Sequence, residues 1–319
     1  MRTAGAGGVE FGIYLPQVAL EFDAMLGRAL EIERLGYDSL WLYDHLFAPG
    51  LPEVPSLEAW TCAAALLART TTLRVGHLVT SSTLRHPALL AKMATSVDVL
   101  SGGRLEFGIG SGSSEAEHHR AGLAWGSARE RGERLGESLE IIVRMFRAAP
   151  VTFTGAHYAV RDLPNLPAPV QPGGPPIHVG GAGRTHTLPL VARYADVWNV
   201  PTHALGRLGE LSRVLDAECE RIGRDPATIR RSVQAVLTLA PADRLDQAVA
   251  VARRRYGDSG YGMAEGGLIG DPGRITDRLG EWVDAGVTSF VLLTHDRAAT
   301  DTLELFINDV APHFRGATS

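Results

Sequence analysis

Eight short apolar runs, with helix-patterned segments between them, constrain the fold of this chain more than any single motif does. They lie at residues 10–15, 39–43, 73–79, 105–109, 177–179, 195–200, 232–239 and 287–293. The run at 39–43 (SLWLY) is continuously apolar rather than alternating, which suits a parallel strand buried on both faces. Between the first two runs, Phe22, Leu26, Ala29 and Leu30 recur at helical spacing, and Gly36 supplies the stop. Ser56 is placed to cap a helix over 57–69, and Pro87 suits the first turn of the next one. Asp271 and Pro272 form a cap and first-turn pair for a helix that stops at Gly286. Residues 35–42 and 285–292 repeat one pattern: a helix end, a glycine and a buried strand. Strands alternating with helices require a parallel sheet with crossover connections, and eight such strands close a barrel. The sequence therefore predicts an α/β chain forming one domain over 1–319, a (β/α)8 TIM barrel. Its insertions fall at about 150–176 (a small hairpin around Gly155, then a proline-rich connector) and 240–270.

Composition removes several function classes. The net charge of −5 gives no support to a nucleic-acid partner. No run approaches the ~18 apolar residues of a membrane span, and the first ten residues lack the apolar core of a signal peptide. The expectation is a soluble, cytoplasmic protein. Cys62 and Cys219 lie in helix-like runs and read as buried thiols. Lys92 is the only lysine and sits inside a helical run, which disfavours Schiff-base chemistry. His118 and His119 are adjacent in a helix-like stretch and so point apart; they read as a solvated face, and no metal site is expected.

In such barrels chemistry sits at the C-terminal ends of the strands. Small or polar clusters fall there repeatedly: Asp44-His45, Thr80-Ser81-Ser82, Gly110 through Glu115, Gly180 through Gly183, and Asn199. The GIGSGS run at 108–113 lacks the G-x-G-x-x-G spacing of a dinucleotide fingerprint, and the first strand ends in Pro16-Gln17. Gly110-Ser111-Gly112 does not fit a serine nucleophile elbow. Gly180-Gly181-Ala182-Gly183-Arg184 instead joins a strand to a helix, so backbone N–H groups can face a phosphate with Arg184 adding charge.

Three stretches, LWLYDH (40–45), the run from Thr80 to Gly112, and VGGAGRTHTLPLVARYADVWN (179–199), resemble the bacterial-luciferase-like flavin oxidoreductases, within them the branch that uses the deazaflavin coenzyme F420. The resemblance implies the same barrel, coenzyme F420 as cofactor with FMN as the alternative, and a homodimer. It implies that Asp44 contacts the deazaflavin ring and that His45 transfers a proton. It places a non-prolyl cis peptide within His77, Leu78 and Val79, a cofactor contact at Thr80, and the phosphate tail at Gly180, Gly181 and Gly183. Relatives that act on sugar phosphates carry a catalytic glutamate where this chain has Ser113; Ser114 and Glu115 follow, and Glu115 is the substitute acid. Those relatives hold the sugar phosphate with lysines, whereas Pro201-Thr202-His203 follows the sixth strand here. The implied activity is hydride transfer between the deazaflavin and a small organic substrate, with residues 240–270 as a lid. The rival is an FMN-dependent monooxygenase that uses oxygen, and a barrel that binds cofactor without turnover is a third reading.

Overall fold

The computed structural model describes residues 8–147, 149–257 and 267–315. Strands β1 (Glu10–Tyr14), β2 (Ser39–Leu42), β3 (Arg74–His77), β5 (Leu105–Gly110), β8 (Ile177–Gly180), β9 (Val197–Val200), β10 (Arg230–Leu239) and β12 (Val287–Thr294) pair in parallel in that order. The ring closes because β10 pairs with β9 on one side and β12 on the other, and β12 pairs with β1. Each of the eight expected strands is present, within a few residues of its predicted ends. The short β4 (Thr80–Ser81) continues the third strand and pairs with β5.

Helices α1 (Phe22–Arg34), α2 (Ala59–Arg69), α3 (Pro87–Ser101), α4 (Glu115–Arg120), α5 (Ala128–Phe146), α6 (Thr187–Tyr194), α7 (Leu208–Arg221), α8 (Leu245–Tyr256), α9 (Pro272–Asp284) and α10 (Thr300–Asp309) complete the described architecture. The repeated helix–glycine–strand pattern becomes β2 and β12, the two neighbours of β1, with Gly36 and Gly286 at φ +77° and +92°. A side chain at either turn would meet the steric cost of the left-handed region. Pro87 and Asp271 stand where expected, and Asp271 accepts from the Arg274 N–H at 3.0 Å. Ser56 does not cap α2. Glu58 does so, accepting from the N–H groups of Trp60 and Thr61, while the Ser56 hydroxyl lies 2.5 Å from that of Tyr43. A carboxylate two residues closer to the helix reaches its first N–H groups and adds favourable charge there.

The first insertion forms the antiparallel hairpin β6 (Val151–Thr154) and β7 (Ala159–Leu163). The second insertion contains helix α8 and ends in a strand, β11 (Leu268–Gly270), parallel to β10. Residues 258–266 of the expected lid lie outside the described residues.

Two apolar clusters follow from the alternation along each strand. The larger, which includes Phe11, Leu40, Phe107, Trp198 and Phe290, fills the space between strands and helices. The smaller, of Tyr14, Trp41, Tyr43, Leu78, Val236, Val291 and Leu293, lies within the barrel toward its C-terminal end. Each fully buried large side chain stabilises by about 1.5–3 kcal/mol. Cys62 and Cys219 are buried in the first cluster, and burial pushes the Cys62 thiol up to about 12, which leaves it inert.

Toward the other end the barrel interior is polar. Glu106 pairs with Arg74 and accepts from His178 Nε2 at 2.7 Å, while Arg74 also donates to Gln171 at 2.8 Å. Burial raises the Glu106 carboxyl, but the charge of Arg74 and the hydrogen bond from His178 outweigh it and hold it at about 2. A depressed carboxyl contributes stability that is complete above its unfolded value and is lost as pH falls through the folded one. Between pH 5 and 2, wild type should therefore lose more unfolding free energy than Glu106→Gln, measured by urea denaturation at each pH.

Candidate active site

The end of β2 is fixed before any ligand arrives. Gln17, fully buried in the loop after β1, donates to the Tyr43 carbonyl at 2.9 Å and accepts from the Tyr43 N–H at 3.2 Å. Asp44 follows. Its two oxygens accept from both terminal nitrogens of Arg85 at 2.7 and 2.9 Å, and one also accepts from the Ser81 N–H. Arg85 extends to Glu58 at 2.7 Å, so the carboxylate ties β2, β4 and the start of α2 together. A bidentate guanidinium–carboxylate pair is geometrically specific as well as strong. Asp44 thus builds the wall of the mouth, with both oxygens engaged.

His45 stands at the rim with 18% of its side chain exposed, its ring tilted against Tyr43. Its Nδ1 lies 3.0 Å from Glu117 Oε2, and the other Glu117 oxygen accepts from the Leu46 N–H. The structure does not bring Glu115 to His45: that carboxylate is 62% exposed and faces His119. Ser114 is the N-cap of α4, accepting from the Glu117 N–H. His118 is fully buried rather than part of a solvated face. Its Nδ1 is 2.7 Å from the Ser114 carbonyl, its Nε2 is 2.7 Å from the Thr83 hydroxyl, and Trp125 packs on the ring. Only His119 is on the outside.

Between β3 and β4 the Leu78–Val79 peptide is cis, within the segment the resemblance indicated. Leu78 enters the barrel cluster, while the fully buried His77 side chain stacks on Trp60 of α2. His77 therefore faces the helix layer. Glycines on two neighbouring strands make room for this segment. A Cβ on Gly108 would come within 1.9 Å of the His77 carbonyl oxygen, and one on Gly110 or Gly180 within 2.7 or 2.8 Å of the Val79 methyls. Thr80 is fully buried, and among the described residues neither its hydroxyl nor that of Ser82 has a hydrogen-bond partner.

The turn after β8 has the form an anion needs. Gly181 is held by its N–H to the Asn199 carbonyl at 3.1 Å and by its own carbonyl, which accepts from Trp198 Nε1 at 2.9 Å. Gly183 accepts the first N–H groups of α6, while the N–H groups of Ala182, Gly183 and Arg184 make no hydrogen bond among the described residues. Such a nest at a helix start suits a phosphate. The Arg184 guanidinium is committed elsewhere, to Glu210 at 3.0 Å. A separate cleft of about 580 Å³ is lined by Arg144, Arg193, Arg224 and Asp196 at the N-terminal end of the barrel, away from these strand ends.

Sequence reading passed over Arg85 and Glu117, gave Gln17 no role at the site, and placed His118 on a solvated face. One signal was available: Ser114-x-x-Glu117 is the pattern that opens a helix. The glutamate of that pattern turns to His45 instead of its own N-cap.

Known proteins share this architecture. The chain is 26% identical to the F420-dependent hydroxymycolic acid dehydrogenase of Mycobacterium tuberculosis, over 95% of this chain and 88% of that one. It is 34% identical to the F420-dependent glucose-6-phosphate dehydrogenase of Amycolatopsis mediterranei over 52% of this chain and 48% of that one. An F420-dependent secondary alcohol dehydrogenase, solved with an F420-acetone adduct, superposes with a TM-score of 0.82 at 18% identity, covering 97% and 99% of the two chains, which establishes a common fold. The model of the luciferase-like monooxygenases matches residues 9–261. By that match, carried on the barrel described above, the chain belongs to the luciferase-like monooxygenase family.

Proposed function

We propose that this protein is an F420-dependent oxidoreductase that moves a hydride between the deazaflavin and a small organic substrate, with His45 as general acid and base. The observation that carries the proposal is the His45–Glu117 pair at the rim of a barrel mouth whose apolar lining includes Leu78. The similarity to an F420-dependent enzyme over nearly the whole chain supports the choice of cofactor.

The residues present fit such a group. The N–H groups of Ala182, Gly183 and Arg184, without partners among the described residues, suit the phosphate of its tail, and the Thr80 hydroxyl, likewise without a partner among them, offers a polar contact. Leu78 and Val79 supply an apolar bed for a flat ring, with Gly110 and Gly180 leaving the space they need. Deazaflavin, when bound, supplies a two-electron hydride donor or acceptor. The chain's own residues do the rest. Asp44 and Arg85 keep the end of β2 in place, and His45 gives or takes the proton that accompanies hydride transfer, since an imidazole ring nitrogen can both donate and accept a proton. The mouth holds no lysine; Lys92 donates to the Leu166 carbonyl. That disfavours a sugar phosphate held by ammonium groups.

Binding titration of the purified protein with F420 and FMN side by side tests the cofactor. Tighter binding of F420, with F420-linked turnover in a panel of alcohols and carbonyl compounds, is the expected result. Oxygen uptake with reduced FMN would establish the monooxygenase reading, which the family match keeps as the second candidate.

A further inference from the structure

The structure assigns Glu117 as the positioning residue that fixes the tautomer of His45, holding the ring proton on Nδ1 so that Nε2 is the nitrogen that exchanges protons. This deepens the role given to His45 above and rests on it.

Helix α4 has only six residues, yet it buries Glu117 and His118 in succession and leaves Glu115 and His119 outside. His118 anchors it to the far wall through Thr83, Trp125 and its own N-cap carbonyl. The Glu117 carboxylate, 2% exposed, is thereby held against the segment after β2. Its oxygens serve two different donors. One takes the Leu46 N–H, which can only donate; the other meets His45 Nδ1. An ionised carboxylate can only accept, so a neutral His45 must carry its proton on Nδ1 and leave the Nε2 lone pair free. The titratable neighbours that face the pair are His118, on α4, and Tyr43, against the His45 ring. Burial raises the Glu117 carboxyl, but the hydrogen bonds from His45 and Leu46 and the two histidines hold it below its ordinary value. It is ionised across the neutral range.

Glu117→Gln turns this into a decisive test because an amide has one acceptor where the carboxylate has two. The Leu46 N–H claims the amide oxygen, so the amide NH2 faces Nδ1 and the His45 proton moves to Nε2. Histidine labelled with 15N reads this directly in the protein without cofactor, the His45 signal being the one absent from His45→Gln. Where the ring is neutral, wild type should show a protonated Nδ1 and an unprotonated Nε2, and Glu117→Gln the reverse. In the F420 assay Glu117→Gln should lose about 10²-fold or more in kcat, with F420 affinity unchanged and partial recovery in Glu117→Asp. A wild-type His45 protonated on Nε2, or a Glu117→Gln enzyme within twofold of wild type, overturns the assignment. The expected tautomer in a protein that shows no F420 turnover supports Glu117 as the positioning residue and removes the functional reading instead.

Discussion

His45→Ala should lower turnover by about 10²–10⁴-fold while leaving F420 affinity within a factor of about two, the range that one general acid–base group contributes. The expectation follows from geometry. Among the titratable side chains at the mouth, Asp44 has both oxygens committed to Arg85 and Ser81, and Glu115 is on the outside of α4. His118 has one ring nitrogen on the Ser114 carbonyl and the other on the Thr83 hydroxyl. Of these four, only His45 has one nitrogen anchored and the other with no partner among the described residues, at a rim that is 18% exposed. The pH–rate profile of the variant should also differ from that of wild type, because the group that exchanges the proton is gone. Alanine leaves the buried Glu117 carboxylate with one donor fewer, which costs stability as well. His45→Gln separates the two effects, because its amide still donates to Glu117 but exchanges no proton. It should be as slow as the alanine variant and melt near wild type. Unchanged turnover and pH profile in both variants would remove His45 from the mechanism, and loss of F420 binding in both would make its role structural.

Gly108→Ala should destabilise the protein by about 3 kcal/mol or more, the upper part of the range for overpacking a close-packed interior. The added methyl carbon would stand 1.9 Å from the His77 carbonyl oxygen and 3.4 Å from a Val79 methyl. No rotamer relieves a clash between one strand's Cβ and the next strand's backbone, so β3 and β5 must separate. Val75 and Gly76 pair with Leu105 and Glu106 one step below, and the Leu78–Val79 segment lies just above. Separation therefore disturbs the polar barrel interior and the cofactor bed together. Gly27→Ala, in the exposed interior of α1 with nothing within 4 Å, is the control. It should be neutral or stabilising by up to about 1 kcal/mol. Apparent melting temperatures and F420 titration of the two variants check both halves. A Gly108→Ala protein that melts with wild type would show that the strand spacing there is not tight.

The barrel was legible in the sequence because its signals are local. Each strand is a mostly apolar run of three to eight residues, and turns announce themselves by a glycine or proline in the flanks of such runs, as Gly36, Pro87 and Gly286 do. The clusters at the strand ends were legible for the same reason. The Leu78–Val79 cis peptide is a different case, indicated by resemblance and not by pattern.

Partnership was not legible. His45 and Glu117 are 72 residues apart, and which acidic residue of α4 meets the histidine depends on the rotational phase of a six-residue helix. Successive residues turn by about 100° around a helix axis, so residues 115 and 117 point to nearly opposite sides. The sequence EAEHHR has no apolar stripe to set that phase. Only the anchoring of His118 against Thr83 and Trp125 sets it, turning Glu117 inward and Glu115 out. The same holds for Asp44, whose partner Arg85 is 41 residues away. By itself the sequence determined the eight strands, their order along the chain and the ends that carry chemistry, because those depend on patterns a few residues long. The tertiary structure alone decided which charges meet across the mouth, because that depends on helix phase and on contacts between segments far apart in the chain.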